Sequence, residues 1–288
     1  MAKPNQLFKD AYNRCLLLLQ EAPKLPPEPA LAERLGVSRT TVRAILSELV
    51  HTGLLQWDKR LKVRLRPVEA ADFFTEGETV PLATQIDDAV WRRLAASGVR
   101  PAVLNELAFA RELGVGTAPL REGLGRFARA GLLAKRPNSH WAVLGLTAAY
   151  LGELFELGDA LEGPAARRFV ALPGDHAARA ALAAAPPLAD DLVAGEGSAS
   201  ELRFHRLLLA ATGNRLVTEA GELLLIGLRF CAAVLPLAIA ERERAAASRA
   251  AAVAALLGDD GDAAAAACHR HLAIRQQAFA AALAAATA

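Results

Sequence analysis

Ser38, Arg39, Thr40, Thr41 and Arg43 place three hydroxyls and two guanidiniums within six residues. Hydroxyls and the planar guanidinium fork are groups that hydrogen-bond phosphate oxygens and the acceptor edge of a guanine. They stand at the front of a segment whose apolar positions, Val42, Ile45, Leu46, Leu49 and Val50, recur at helical spacing. Ahead of them, Leu31 to Leu35 reads as a short helix ended by Gly36. Val37 is an apolar plug in the turn, and Ser38 caps the next helix. A helix, a glycine turn and a second helix with donors on its first turn is an arrangement that suits a DNA major groove. Beyond Gly53-Leu54-Leu55, residues 56–66 carry Lys59, Arg60, Lys62, Arg64 and Arg66 and read as a two-stranded wing turning at Asp58-Lys59-Arg60. Helix-turn-helix plus basic wing is a winged helix, and double-stranded DNA is its expected partner.

The elements that must position these groups follow from composition and order. At 288 residues the chain has room for two or three domains. Hydrophobic content of 53% with aromatics at 5% favours helices packed through small side chains. The formal charge of +2 hides a gradient: residues 1–68 carry 12 Lys/Arg against 6 Asp/Glu, residues 69–147 carry 9 against 9, and residues 148–288 carry 12 against 16. A basic head on an acidic body suits a nucleic-acid reader joined to a small-molecule or dimerisation module. Cys15, Cys231 and Cys268 lie in apolar helical contexts and read as buried, reduced thiols. Met1 to Asp10 lacks the apolar core of a signal peptide. The longest apolar run, Leu223 to Ile239, is broken by Arg229 and Pro236, so a buried core helix is expected rather than a membrane span. A soluble, cytoplasmic protein follows.

Leu7 to Gln20 reads as a helix with Leu7, Phe8, Ala11, Cys15, Leu18 and Leu19 on one side, stopped by a proline cluster. Acidic Glu69 to Pro81 reads as a linker. Then the pattern repeats. At an offset of 78 positions, Leu35, Gly36, Val37, Arg43, Gly53, Leu54 and Leu55 fall on Leu113, Gly114, Val115, Arg121, Gly131, Leu132 and Leu133. A match of this kind at one offset is the mark of a duplicated unit. The second copy has Gly116, Thr117, Ala118 and Pro119 where the first has Ser38, Arg39, Thr40 and Thr41, so it loses the cap and the groove-facing donors. The first copy is expected to read sequence, and the second to be structural or a weak phosphate binder.

Both copies resemble the winged helix of the GntR family of bacterial transcription regulators, through Leu-Gly-Val-Ser-Arg-Thr-Thr-Val-Arg in the first. By position, the resemblance implies DNA contacts from Ser38, Arg39, Thr40, Thr41 and Arg43. Lys59, Arg60 and Lys62 of the wing are expected to add phosphate contacts. Pro29 departs from the family, which usually has a phosphate-gripping arginine there.

From Thr147 the chain reads as six helices around one apolar interior: Ala148 to Val170, Ala177 to Ala185, Ala199 to Thr212, Leu216 to Leu235, Ile239 to Leu257 and Asp262 to Ala284, with Asp262 a candidate cap of the last. Leu154 to Glu162, Phe204-His205 leading to Gly213-Asn214, and Gly258-Asp-Asp followed by His271-Leu272 resemble the FCD effector domain of the FadR subgroup of GntR regulators. In that subgroup's metal-binding members a carboxylate and a histidine one helical turn apart join two later histidines. The resemblance places this set on Glu201, His205 and His271, a cage for a divalent, zinc-like ion. The remaining histidine position holds Arg249, which stays protonated and cannot ligate. Three readings stay open: buried polar residues without a ligand, a metal on Glu201, His205 and His271, or a metal-free pocket where Arg249 pairs with an effector carboxylate beside His205 and His271. Arg229 is a second candidate for an anionic effector, or else a guanidinium at a seam.

No phosphate-binding glycine loop, Gly-x-Ser-x-Gly or nucleophilic Cys/His spacing is present, so the chain does not read as an enzyme. The expected fold is mainly α: a winged helix at 1–68, a linker at 69–82, a second, degenerate winged helix at 83–146, and an all-helical effector and dimerisation bundle at 147–288. The expected function is a homodimeric, ligand-responsive DNA-binding regulator that takes a small carboxylate. The alternative is a metabolite sensor with vestigial DNA binding that acts through a protein partner.

Overall fold

The computed structural model describes residues 6–58, 61–75, 79–138, 140–184 and 199–287. The chain forms two compact units, residues 1–88 and 89–288.

In the first unit, α1 (Gln6–Glu21), α2 (Glu28–Leu35) and α3 (Arg39–His51) are followed by the hairpin β1 (Leu55–Asp58) and β2 (Leu61–Arg64). The core face of α1 is Ala11, Tyr12, Cys15, Leu16 and Leu19, whereas Leu7 is exposed and Leu18 only half-buried. Gly36 ends α2 at φ 64°, a left-handed conformation that glycine adopts without cost, and its N–H and that of Val37 return to the carbonyls of Glu33 and Ala32. Val37 packs against the core as expected. Strand alternation corrects the reading of the wing: Lys62 points inward and is 4% exposed, while its neighbour Leu61 is 49% exposed. The hairpin is backed by residues 23–25, through Leu25 N–H to the Lys62 carbonyl (3.1 Å) and Arg64 N–H to the Pro23 carbonyl (2.8 Å).

The front of the expected linker is part of this unit. Arg66 makes a two-bond pair with Asp72 (2.8 and 2.6 Å), Asn13 exchanges two hydrogen bonds with the backbone of Phe74 (2.8 and 2.9 Å), and Phe74 meets Tyr12 edge-on at 5.2 Å. The segment through Phe74 is therefore strapped to α1, which shortens the connection that the acidic composition suggested.

Helix α4 (Leu82–Ser97) crosses the boundary between the units. Then come β3 (Ala102–Asn105), α5 (Glu106–Leu113), α6 (Thr117–Arg129), β4 (Leu133–Arg136) and β5 (His140–Val143), with sheet order β3-β5-β4. The bounds of α5, α6 and β4 are those of α2, α3 and β1 displaced by 78 residues, and Gly114 repeats the φ of Gly36 at 65°. Gly116 stands at the start of α6 with no side-chain cap, consistent with the lost serine.

Six described helices complete the second unit: α7 (Ala148–Val170), α8 (Ala177–Ala183), α9 (Ala199–Ala210), α10 (Arg215–Val234), α11 (Ile239–Leu257) and α12 (Gly261–Thr287). Ala185, the expected end of α8, lies outside the described residues. Thr147 caps α7 by accepting from Tyr150 N–H (3.1 Å). Asp262 does not cap α12. Asp260 does so, accepting from the N–H groups of Asp262 and Ala263, and Asp262 pairs with Arg167 instead. α12 packs chiefly on α7 and α11, and Gly158 lets α7 approach Leu224 and Leu272 closely. Tyr150 joins α7 to the preceding sheet-bearing segment: its hydroxyl donates to the Ala130 carbonyl at 2.8 Å. Its side chain passes a slot where Cβ atoms on Gly131 and Gly227 would lie 3.1 and 2.8 Å from it.

Candidate functional site

At the start of α3, Ser38 is a working cap. Its Oγ accepts from Thr41 N–H (3.1 Å) and pairs with Thr41 Oγ1 (2.9 Å), which orders the first turn. Arg39 and Thr40 are exposed beside it. Arg43 is 66% exposed and donates through Nε to Glu28 Oε2 (2.8 Å). Ser38, Arg39, Thr40, Thr41 and Arg43 thus share one end of α3, as their spacing implied. The wing differs from expectation. Lys59 and Arg60 lie outside the described residues, and buried Lys62 is removed from the phosphate-contacting set. Arg64 donates to the Leu19 carbonyl (2.7 Å) and Arg66 holds Asp72, so these two cations fasten the wing to its own unit.

The corresponding place in the second copy is an internal ion network. Glu106 is fully buried and accepts from Arg121 (2.6 Å), Lys135 (2.5 Å) and Trp141 Nε1 (2.8 Å). The Arg121 hydrogen bond, opposed by burial and aided by Lys135 and Trp141, holds the Glu106 carboxyl at about 2. Glu106 falls on Glu28 at the same offset of 78, so the repeat contained a signal for both ion pairs that the sequence reading did not use.

The second cluster lies inside the bundle. Glu201 and His205 share a face of α9, and His271 arrives from α12. Glu201 Oε1 lies 3.2 Å from His205 Nε2 and 2.7 Å from His271 Nε2. The far nitrogens are held as well: His205 Nδ1 by Glu162 and His271 Nδ1 by Ser248 Oγ (2.8 Å). Arg249 from α11 reaches Glu201 Oε2 and Ser200 Oγ, each at 3.1 Å, and Arg275 from α12 lies 3.2 Å from Glu201 Oε1. Burial alone would raise the Glu201 carboxyl, but the Arg275 guanidinium and the two histidines hold it well below the usual range. Burial would lower His205, yet Glu162 and Glu201 raise it to about 9. Arg275 and Glu162 were missed in sequence. Arg275 sits one turn after His271 on the same face, a spacing that could have suggested it, whereas Glu162 is distant in the chain.

The donors Glu201, His205 and His271 lie within 4.8 Å of one another, which is compatible with a metal. The surroundings are not. Both oxygens of the only carboxylate in the set already face guanidiniums that remain charged at any ordinary pH, so the residues do not fit a divalent ion. Two buried polar atoms beside them, Glu162 Oε2 and Arg275 Nε, have no hydrogen-bond partner among the described residues. Arg229 is not brought to this cluster. It is exposed on α10 with its guanidinium 4.3 Å from the Trp91 ring centroid, at the contact between the bundle and α4. His269 is exposed and pairs with Asp159.

The sequence matches the family of bacterial regulatory proteins named gntR over residues 18–61 and the FCD domain over residues 153–274. It is 31% identical over 217 residues to an Escherichia coli protein described as "Probable HTH-type transcriptional regulator LgoR", covering 72% of this chain and 71% of that protein. Among solved structures, McbR/YncC of E. coli aligns with TM-score 0.53 at 20% identity, covering 69% of this chain and 99% of its own. A GntR transcriptional regulator from a Rhodococcus species aligns with TM-score 0.55 at 18% identity, covering 69% of this chain and 97% of its own. The gntR match covers one of the two copies of the repeat. Among the described residues no helix is long and apolar enough to cross a membrane.

Proposed function

Because this chain belongs to the GntR family of bacterial transcription regulators and carries an FCD domain, we propose that it is a homodimeric, ligand-responsive regulator. In this reading α3 reads the operator and the bundle senses a small anionic metabolite. The family makes it a DNA-binding regulator and not an enzyme. The observation that carries the reading is the ordered, exposed first turn of α3, within the segment that the family match covers. Ser38 and Thr41 stiffen the turn, Arg39 and Thr40 face outward, and Arg43 is oriented by Glu28. An arginine presented in this way discriminates a guanine by about 1–3 kcal/mol per bidentate contact.

Residues 83–146 form a second winged helix that does not read DNA. The winged helix is supported by the element bounds recurring at one offset, and the loss of DNA reading by Gly116, Thr117, Ala118 and Pro119 standing where the first copy has Ser38, Arg39, Thr40 and Thr41. In chain order it stands between the DNA head and the bundle, and it serves as a rigid shoulder fastened to the bundle by Tyr150 and by Arg229 on Trp91. An effector carboxylate pairs with Arg249 beside His205 and His271, and binding shifts the population of two arrangements of the heads. Pairing of two recognition helices on adjacent half-sites motivates the dimer, and the protein works in the cytoplasm.

Fluorescence anisotropy with DNA from the protein's own promoter region, wild type beside Arg39→Ala/Arg43→Ala, tests the head. Salt-sensitive, sequence-specific binding that the double variant loses is expected. Binding that survives would move the reader to the second copy, and no binding by either form would favour a protein partner as the output. For the bundle, Arg249→Ala should weaken carboxylate-induced change in DNA affinity at least about tenfold, the lower end for a buried charge-assisted pair.

A further inference from the structure

The buried cluster has the frame of a metal centre but not its charge. Two imidazole Nε2 atoms and one carboxylate oxygen converge, and each imidazole is held from behind, by Glu162 and by Ser248. Such outer partners normally fix histidines on a metal. Here the convergence is already filled by cations. Arg275 lies 3.2 Å from Glu201 Oε1, the oxygen that both imidazoles face, and Arg249 takes Oε2 at 3.1 Å. Their side chains are 9% and 8% exposed, so water does little to screen them. A divalent ion placed between Oε1 and the two Nε2 atoms would stand a few ångströms from two fixed positive charges.

We infer that Arg249 and Arg275 together stand in for the metal. They neutralise Glu201, whose Oε1 faces the two histidines that Glu162 and Ser248 hold, and they make the bundle a metal-independent anion site with Arg275 as its second guanidinium. Arg275 keeps a buried Nε–H without a partner among the described residues, a donor available to an incoming oxygen. Arginine suits this role because its charge is permanent and its donors are fixed in a plane, so Arg275 holds Glu201 through one N–H while its Nε–H points elsewhere. This inference deepens the effector reading above, since it concerns the same site. It is tested by a metal count, which does not depend on any carboxylate binding.

The full-length protein and the variant Arg249→His/Arg275→Leu would be stripped with chelator, dialysed against zinc and analysed for bound metal, with circular dichroism to confirm helix content. Wild type should hold no stoichiometric zinc. The double variant, which adds an imidazole from α11 to Glu201, His205 and His271 and removes both guanidiniums, should hold about one ion per chain. Its melting temperature should rise with zinc concentration as expected for a bound ligand. Stoichiometric zinc in wild type would overturn the inference, as would a folded double variant that takes up none. Should the double variant not fold, Arg249→His/Arg275→Gln, which also removes both charges but keeps an amide beside Glu201, is read in the same way: saturable zinc uptake is expected, and its absence in a folded variant overturns the proposal. Failure here leaves wild-type carboxylate binding to be judged by its own assay, and success here survives if no carboxylate is found.

Discussion

Replacing Glu106 with glutamine isolates the role of the second copy. The carboxylate is fully buried and accepts from Arg121, Lys135 and Trp141. A glutamine is of the same size but keeps one acceptor oxygen and turns an NH2 group towards one of the two cations. Hydrogen bonds to charged groups contribute about 1.5–3 kcal/mol each, and a buried donor left facing a donor adds a desolvation cost. Arg121 and Lys135 are 56% and 43% exposed, so both can turn to water, which holds the loss to about 2–3 kcal/mol. For a unit of this size that corresponds to a melting temperature lower by roughly 4–12 °C. The pH dependence gives a second check. Glu106 is held at about 2, below the usual 4.5, so its contribution is present above pH 4.5 and is lost as pH falls through 2. The gap between wild type and Glu106→Gln should therefore be full at pH 7 and narrow below pH 4.5. Calorimetry across this range, with DNA binding measured alongside at pH 7, decides the matter. A variant that melts with wild type, or a gap that does not narrow in acid, refutes the account of the network. A tenfold change of DNA affinity in either direction without unfolding would place this segment at the DNA.

Tyr150→Phe should cost about 1 kcal/mol by removing the hydrogen bond to the Ala130 carbonyl. Gly131→Ala should cost more in the same melting experiment, because residue 131 sits at φ 73° and the new methyl meets the Tyr150 ring. Cys15, Cys231 and Cys268 are fully buried and burial pushes each thiol up to about 12, so a thiol-specific disulfide reagent should react slowly with native protein and rapidly with all three in denaturant. Fast reaction at any of them in the native state would contradict the packing. Asn13→Ala should loosen the strap at Phe74 and make cleavage by a protease near residue 75 faster, with little change in cleavage elsewhere.

Much of the architecture was legible in the chain because it depends on neighbours within one or two turns. Periodicity and capping residues placed α7 and α11 at their observed bounds, Gly36 and Ser38 marked the turn before α3, and the offset of 78 announced elements that recur with the same lengths. The clustering of Glu201, His205, Arg249 and His271 was also expected, but from family resemblance and not from spacing alone. Tertiary structure decided what each charge does. Lys62 looked like a wing cation until strand alternation turned it inward, and Arg229, open between an effector anchor and a guanidinium at a dimer seam, lies over Trp91. Glu162 reaches His205 across 43 residues of sequence, Asn13 reaches Phe74 across 61, and Arg275 meets Glu201 from another helix. Local spacing can hint at Arg275 one turn after His271, but it encodes neither the partner nor the burial, because a buried ion is stable only where helices distant in sequence bring its counter-charges together. The choice between a metal and two guanidiniums rests on those contacts, a few ångströms wide, which exist only in the folded chain.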